Sequence, residues 1–303
     1  MSPMIRTETE SRAVIYLKLT LMAIFWGGTF VAGRIVAREA GPFSAAFLRF
    51  VVASFFLLLF VLKKYGTITL PRREQLLLLL ILGMTGVFAY NFFFFSGLKT
   101  ITASRASLII AANPAFIALG SALIFKEAAG LIKITGIVLS VFGASIVVLR
   151  GDLSAISKGG IGPGELYIIG CVASWVAYSL VGKAAMKDLS PLLAVTLSCI
   201  VGAACLAVPA FNEGVASSLP DYSALTWLGI GFLGFFGSAL GFVWYYEGIL
   251  ALGPARAGIF INLVPISSVL LAYILLNESL DASLLVGAIL VTCGVYLANR
   301  SRG

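Results

Sequence analysis

Few side chains in this chain can do chemistry, and where they fall limits what that chemistry is. None of its 303 residues is histidine, which removes the usual general base and the usual switch near neutral pH. The four cysteines, Cys171, Cys199, Cys205 and Cys293, sit singly inside apolar runs with no CxxC spacing. They read as small buried hydrophobes rather than as metal ligands or disulfides. The thirteen Asp and Glu residues fall at or beyond the ends of those runs, with Glu127, Glu165, Glu247 and Glu278 nearest to them. No paired acids and no metal cluster are available for making or breaking bonds, so neither an enzyme nor a cofactor is expected. What remains is binding chemistry: aromatic rings with polar tips, carboxamides and hydroxyls set inside apolar sequence. Candidate substrate-binding residues are Trp26, Thr29, Tyr90, Asn91, Phe94, Asn113, Trp175, Tyr178, Ser179, Tyr245 and Asn262. Such groups suit a wet cavity that also holds an apolar side chain, and a ring of aromatics can hold an ammonium by cation–π contact. Pro114 and Pro265 each remove a backbone hydrogen bond and kink a helix. They are candidate hinges or gates, and the carbonyls they free, with the nearby Asn amides, can meet a zwitterion's backbone groups. The plainer reading of the same residues is interfacial aromatic belts, ring packing and kinks that shape a bundle.

Arg49 is a cation inside an apolar run, seven residues after Pro42, or about 10 Å along a helix at 1.5 Å per residue. A charge at that depth is costly and must be paired or hydrated. Bonding to carbonyls of a neighbouring helix is weighed above binding a substrate carboxylate.

The elements that position these residues follow from composition. The chain is 60% hydrophobic and 11% charged, against about 25% charged in soluble domains; its mean hydropathy is +1.05. A membrane helix needs about 20 predominantly apolar residues. Ten such runs are present, near 14–36, 42–62, 75–97, 101–124, 131–149, 164–185, 191–210, 223–248, 256–275 and 282–298. The first is too long for a signal-peptide core and has no small-residue cleavage site after it, so it reads as a retained helix. The net charge of +8 lies in short segments between runs. It reads as topology signal and anionic-lipid contact, not as a nucleic-acid surface.

The sequence repeats itself. Shifting Gly97–Glu127 by 151 positions aligns it with Gly248–Glu278, with seven identities in 31 positions, Pro114/Pro265 and Glu127/Glu278 among them. Trp26 aligns with Trp175 and Pro42 with Pro191 at an offset of 149. Gly83/Gly234, Gly86/Gly237, Gly136/Gly287 and Gly143/Gly294 extend the match. The glycine-rich stretch between Arg150 and Pro163 falls at the midpoint and reads as a linker. The expected fold is therefore an all-α membrane protein of ten transmembrane helices in two five-helix repeats, residues 1–151 and 152–303. Because five is odd, the second repeat enters from the opposite side and is inverted. With both termini in the cytoplasm, fourteen of the 21 Lys and Arg lie in inner segments, as the positive-inside rule requires. Inverted repeats around a midplane site are a transporter architecture. The glycine faces read as close helix contacts, and the fifth and tenth helices as the bundle's flank or a dimer surface, with monomer and homodimer both open.

In order, the chain carries Trp26-Gly27, Pro42 with Arg49-Phe50, Ala106-Ser107 with Pro114 and Glu127, then Gly136 and Gly143. Ala257, Pro265, Glu278, Gly287 and Gly294 repeat the second part of that pattern. Over essentially its full length it resembles the drug/metabolite transporter superfamily, as a ten-helix EamA-type transporter. It departs in the seventh helix, which has no basic counterpart of Arg49. Within the superfamily it is most similar to amino-acid and metabolite exporters, including the YddG-type aromatic amino-acid exporters. The resemblance implies a plasma (inner) membrane exporter of amino acids whose first, third, fourth, sixth, eighth and ninth helices face a cavity between the halves. No acid sits mid-helix, where a proton- or sodium-coupled carrier usually keeps one, so facilitated diffusion is favoured over a proton-coupled drug/metabolite exporter. A phosphosugar or nucleotide-sugar carrier needs clustered cations in the cavity. Only Arg34, Lys99, Arg105 and Lys183 are available for that, all near helix ends.

Overall fold

A computed structural model describes residues 11–67, 71–125, 130–149, 151, 161–185, 189–252, 257 and 260–300. Most of the midpoint linker, Glu127, Arg256 and the side chain of Lys183 lie outside those residues. Among the described residues every regular element is helical. Helix α1 spans Arg12–Glu39 and α2 Pro42–Tyr65. Helix α3 (Arg73–Leu82) continues through a π-helical segment, Gly83–Ala89, into α4 (Tyr90–Leu98). Helices α5 (Ala103–Ile110) and α6 (Asn113–Phe125) share one path broken at Ala111-Ala112, and α7 covers Leu131–Val148. Then come α8 (Pro163–Ala185), α9 (Pro191–Asn212) and the short α10 (Val215–Ser218). Helix α11 (Ala224–Phe232) runs through a second π-helical segment, Leu233–Leu240, into α12 (Gly241–Leu252). Helices α13 (Leu263–Leu276) and α14 (Ala282–Arg300) close the chain. Six of these paths are long and apolar enough to cross a membrane, and 134–148, 263–276 and 282–297 are shorter apolar helices. The fourth path, expected as one run over 101–124, is two helices. Pro114 has no N–H to give the Ile110 carbonyl, so the α-helical ladder cannot pass through it.

Local chemistry fixes the helix starts. Pro42 and Pro191 occupy first turns, where the missing N–H costs nothing. Ser11, Thr102, Ser190 and Ser223 cap their helices by accepting from Val14, Arg105, Leu193 and Thr226 N–H respectively. Carboxylates from distant helices add to this at the end of the bundle where α1 finishes. Glu213 accepts from Ser44 N–H (2.6 Å) and Ser44 Oγ (2.7 Å) on α2. Glu278 accepts from Ala103 N–H (2.8 Å), Ser104 N–H (3.0 Å) and Ser104 Oγ (2.7 Å) on α5. Glu39 accepts from Ser223 N–H (2.8 Å) ahead of α11. Negative charge at a helix N-terminus meets unpaired N–H groups and the positive end of the macrodipole. The helix-end acids thus act as caps that tie one half of the chain to the other. At the opposite end, Lys18 Nζ pairs with Glu247 at 3.0 Å, and Tyr65 Oη donates to Ser190 at 3.0 Å.

The helices associate in recurring pairs. Helix α2 lies along α9, and α7 along α14; α1 packs on α11–α12 and α13, and α8 on α3–α4 and α5–α6. The α7–α14 pair is a close approach of backbones. A Cβ on Gly294 would lie 2.8 Å from Ser140 Cα, and one on Gly143 would lie 2.7 Å from Leu290 Cβ. The outer faces of this pair expose Leu131, Ile132, Val138, Phe142, Leu285 and Ile289, as lipid contact requires.

Two predictions follow from this packing. Gly294→Val lowers the apparent melting temperature of the detergent-solubilised protein, by an overpacking cost of about 1–3 kcal/mol. Gly231→Val, where a Cβ would meet nothing within 4 Å, leaves it unchanged. The second concerns acid stability. Burial pushes the Asp281 carboxyl up, but bonds from Ser283 and Leu284 N–H and the Arg105 guanidinium (3.1 Å) outweigh that and hold it below its ordinary value. A depressed carboxylate contributes stability above its unfolded pKa, about 3.9, and loses it as pH falls through the lower folded value. Asp281→Asn therefore flattens the most acidic limb of a stability–pH profile and leaves its neutral region parallel to the parent's.

Candidate substrate cavity

The four interruptions converge in the middle of the bundle. Gly83–Ala89 and Leu233–Leu240 occupy matching positions in the two halves, as do the Ala111-Ala112 break and a turn at Asn262 ahead of α13. A π-helical turn shifts bonding from i−4 to i−5 and releases carbonyls. Inside a bilayer these must find partners within the protein. Asn91 Nδ2 donates to Val87 O (2.8 Å) and Gly86 O (3.4 Å). Ser238 Oγ donates to Leu233 O (3.0 Å), and Trp26 Nε1 to Gly237 O (2.9 Å). Arg49, 4% exposed, reaches from α2 to both π segments. Its Nε donates to Ser238 Oγ and its Nη1 to Asn91 Oδ1, each at 2.9 Å. Its guanidinium carbon lies 5.4 Å from the Phe50 ring centre and 5.9 Å from that of Phe94.

Around this knot lies a cavity with about 60 Å³ open to the centre of a water-sized sphere. One water needs about 10–15 Å³ by that measure, so roughly five fit, displacing on the order of 150 Å³ of liquid. That is the scale of a small amphipathic metabolite, well short of a nucleotide sugar. Trp26, Thr29 and Phe30 from α1, Arg49, and Tyr90 and Phe94 from α4 form one side. Ile110, Asn113, Pro114 and Ile117 at the α5–α6 break, Trp175 of α8, Phe242 of α12, and Ile261 and Val264 at the start of α13 form the other. Trp175 stands edge-on to Trp26 at 5.9 Å and tilted to Tyr90 at 5.3 Å. Asn113 is 5% exposed, and its amide oxygen has no hydrogen-bond partner among the described residues.

Of the residues singled out from sequence, Trp26, Thr29, Tyr90, Phe94, Asn113, Trp175 and Pro114 meet at this cavity. Others stand behind it. Asn91 supports Arg49 and the first π segment. Tyr178, 2% exposed, packs tilted against Trp175 at 5.3 Å; Ser179 donates to Trp175 O at 2.7 Å. Tyr245 lies 5.3 Å from the Trp26 ring. Asn262 and Pro265 flank the α13 start, and neither is on the lining. Glu247 is engaged by Lys18 away from the cavity, and no carboxylate lines it among the described residues. Of the cations considered for a phosphate, Arg34 donates to the Leu98 carbonyl, Arg105 is held by Asp281 and the Val147 carbonyl, and Lys99 is exposed. Phe30, Ile110, Ile117, Phe242, Ile261 and Val264 carry no sequence signal that separates them from core. Arg49 does carry one, its charge.

Asn91→Leu takes away the Arg49 Nη1 acceptor and the side-chain donor to the Val87 carbonyl. The expected result is a loss of about 3 kcal/mol of stability, read as a lower melting temperature in detergent. Ser217→Ala, exposed on the short α10, serves as the unaffected comparison.

The chain matches the EamA-like transporter family twice, over residues 13–149 and 162–300. It is 29% identical to the uncharacterized transporter YyaM of Bacillus subtilis over 285 residues, covering 94% of this chain and 93% of that one. It is 28% identical to an uncharacterized transporter of Archaeoglobus fulgidus, covering 93% and 96%. A probable amino-acid metabolite efflux pump of Salmonella typhimurium is 26% identical, with 91% and 92% covered. A solved crystal structure superposes with a TM-score of 0.67 at 20% identity, covering 95% of this chain and 98% of the other, which extends the likeness to the fold. With both matches together spanning nearly its whole length, the chain belongs to the EamA-like transporter family.

Proposed function

We propose that the protein exports amino acids, aromatic and other neutral ones, and related metabolites across the plasma membrane by alternating access. On this reading the helical paths form ten spans in two oppositely inserted five-helix halves, with both termini cytoplasmic. The observation that carries the substrate class is the cavity: among the described residues its lining has aromatic walls, the hydroxyls of Thr29 and Tyr90, the Asn113 carboxamide, one cation and no acid. Aromatic walls hold an apolar side chain, while the few polar groups fix a polar head. A lining without a carboxylate among the described residues favours movement down the solute's own gradient over proton coupling. A single lining cation does not match a doubly charged phosphate. The similarity to a probable amino-acid metabolite efflux pump points the same way, and kinship with transporters supports a non-enzymatic role. The helix breaks at Pro114 and near Pro265 serve as hinges, since interrupted helices bend where the backbone ladder is absent. Helix exchange supports two states of similar energy: α1 meets α11–α13 as α8 meets α3–α6, so each half can take the other's arrangement.

Reconstitution in liposomes tests this. Labelled phenylalanine or threonine undergoes counterflow without any pH gradient, and Trp175→Ala and Tyr178→Ala each reduce the rate by about tenfold or more. Uptake that appears only with an imposed pH gradient contradicts the facilitator, and no counterflow of any amino acid contradicts the substrate class.

A further inference from the structure

We propose that Arg49 and Asn113 are the two poles of the substrate site, the guanidinium taking a carboxylate and the Asn113 amide oxygen taking an ammonium. The proposal rests on the cavity being the transport site and adds to that reading how a solute is oriented and which solutes are refused. Arg49 is buried about 10 Å inside a helix, by its seven residues from Pro42, and lines the cavity. Its hydrogen-bond partners, Ser238 Oγ and Asn91 Oδ1, are both neutral. No carboxylate lies within ion-pair distance of it among the described residues. Tying two helices together needs only donors, which a neutral side chain also supplies. The charge adds a desolvation cost of several kcal/mol unless an anion compensates it. A guanidinium has five N–H donors in a planar fork, and two of them are used here. Those that remain match the two oxygens of one carboxylate.

Asn113 has the complementary defect. Its amide oxygen is a buried acceptor without a partner, which costs about 1–3 kcal/mol while unmet. It stands at the α5–α6 break, where Pro114 also withholds an N–H, so the local surplus is of acceptors. An ammonium supplies donors to such a site, and the Trp26, Tyr90 and Trp175 rings attract the same charge through their faces. A positive pole and an acceptor pole on one small cavity select a solute carrying both a carboxylate and an amine. They disfavour a purely cationic solute, which meets Arg49 as a like charge.

The test uses three probes of one size on the purified full-length protein: phenylalanine, phenylalaninamide and 3-phenylpropionate. Binding is read by intrinsic tryptophan fluorescence, and transport by inhibition of phenylalanine counterflow. For the unmodified protein, phenylalaninamide binds at least about tenfold more weakly than phenylalanine, the loss of one charge-assisted bond. Arg49→Gln abolishes that discrimination by weakening phenylalanine and leaving phenylalaninamide unchanged. Arg49→Lys keeps the discrimination at reduced size. Asn113→Ala weakens phenylalanine and leaves 3-phenylpropionate unchanged. Equal binding of phenylalanine and phenylalaninamide to the unmodified protein overturns the assignment while the transport reading stands, and it needs no variant to fold. Binding of none of the three overturns both.

Discussion

A backbone N–H or C=O inside a bilayer has no water to bond to, and that constraint organises the centre of this protein. Four helical paths are irregular: two widen into π segments and two break beside a proline. Each irregularity leaves polar backbone that must be met by side chains. Asn91, Ser238 and Trp26 meet the released carbonyls, and Arg49 bonds two of those three side chains in turn. One cation on α2 thus holds the first π segment, the second π segment and its own helix in register. The price of irregular backbone in a membrane is a buried polar network, and such a network is where a polar solute can exchange places with protein groups.

The two ends of the bundle are held by different chemistry. Where α1 finishes, Glu39, Glu213 and Glu278 each bond the first turn of a helix from the other half. At the other end the ties among the described residues include a partly exposed ion pair, Lys18–Glu247, and a hydroxyl contact, Tyr65–Ser190. Exposed ion pairs contribute about 0–1 kcal/mol, less than a set of charged caps. Alternating access by the proposed route requires the ties at both ends to exchange. Helices α7 and α14 are locked together by glycine contacts at one flank and pack against the α5–α6 break at Ala111-Ala112.

Much of this was legible in the sequence, for physical reasons that differ by residue. Pro114 announced a broken helix because its ring and missing N–H act wherever it sits. Trp26, Tyr90, Asn113 and Trp175 stood out because polar tips inside apolar runs need partners, and all four are on the cavity. The same signal picked Tyr178, Ser179 and Tyr245, which stand one layer behind it. Composition cannot separate a residue on the wall from one that supports the wall. Phe242 and Ile261 were invisible because an apolar side chain looks the same against solute, lipid or core. The π segments left only the paired glycines at 83/86 and 234/237, which fit close packing equally well. Arg49 was conspicuous for its charge, yet its reach to both π segments depends on how α2, α4 and α12 come together, which no local pattern encodes.

The central claim is that one cavity between the halves opens to each side in turn. Site-directed labelling measures this directly: Thr29→Cys is placed on the lining in a chain whose four native cysteines are replaced. A membrane-impermeant maleimide is then applied from either side of sealed vesicles of known orientation. The account predicts that this one position labels from both sides and that saturating phenylalanine slows both reactions. Labelling from a single side only, under conditions where counterflow proceeds, would contradict it.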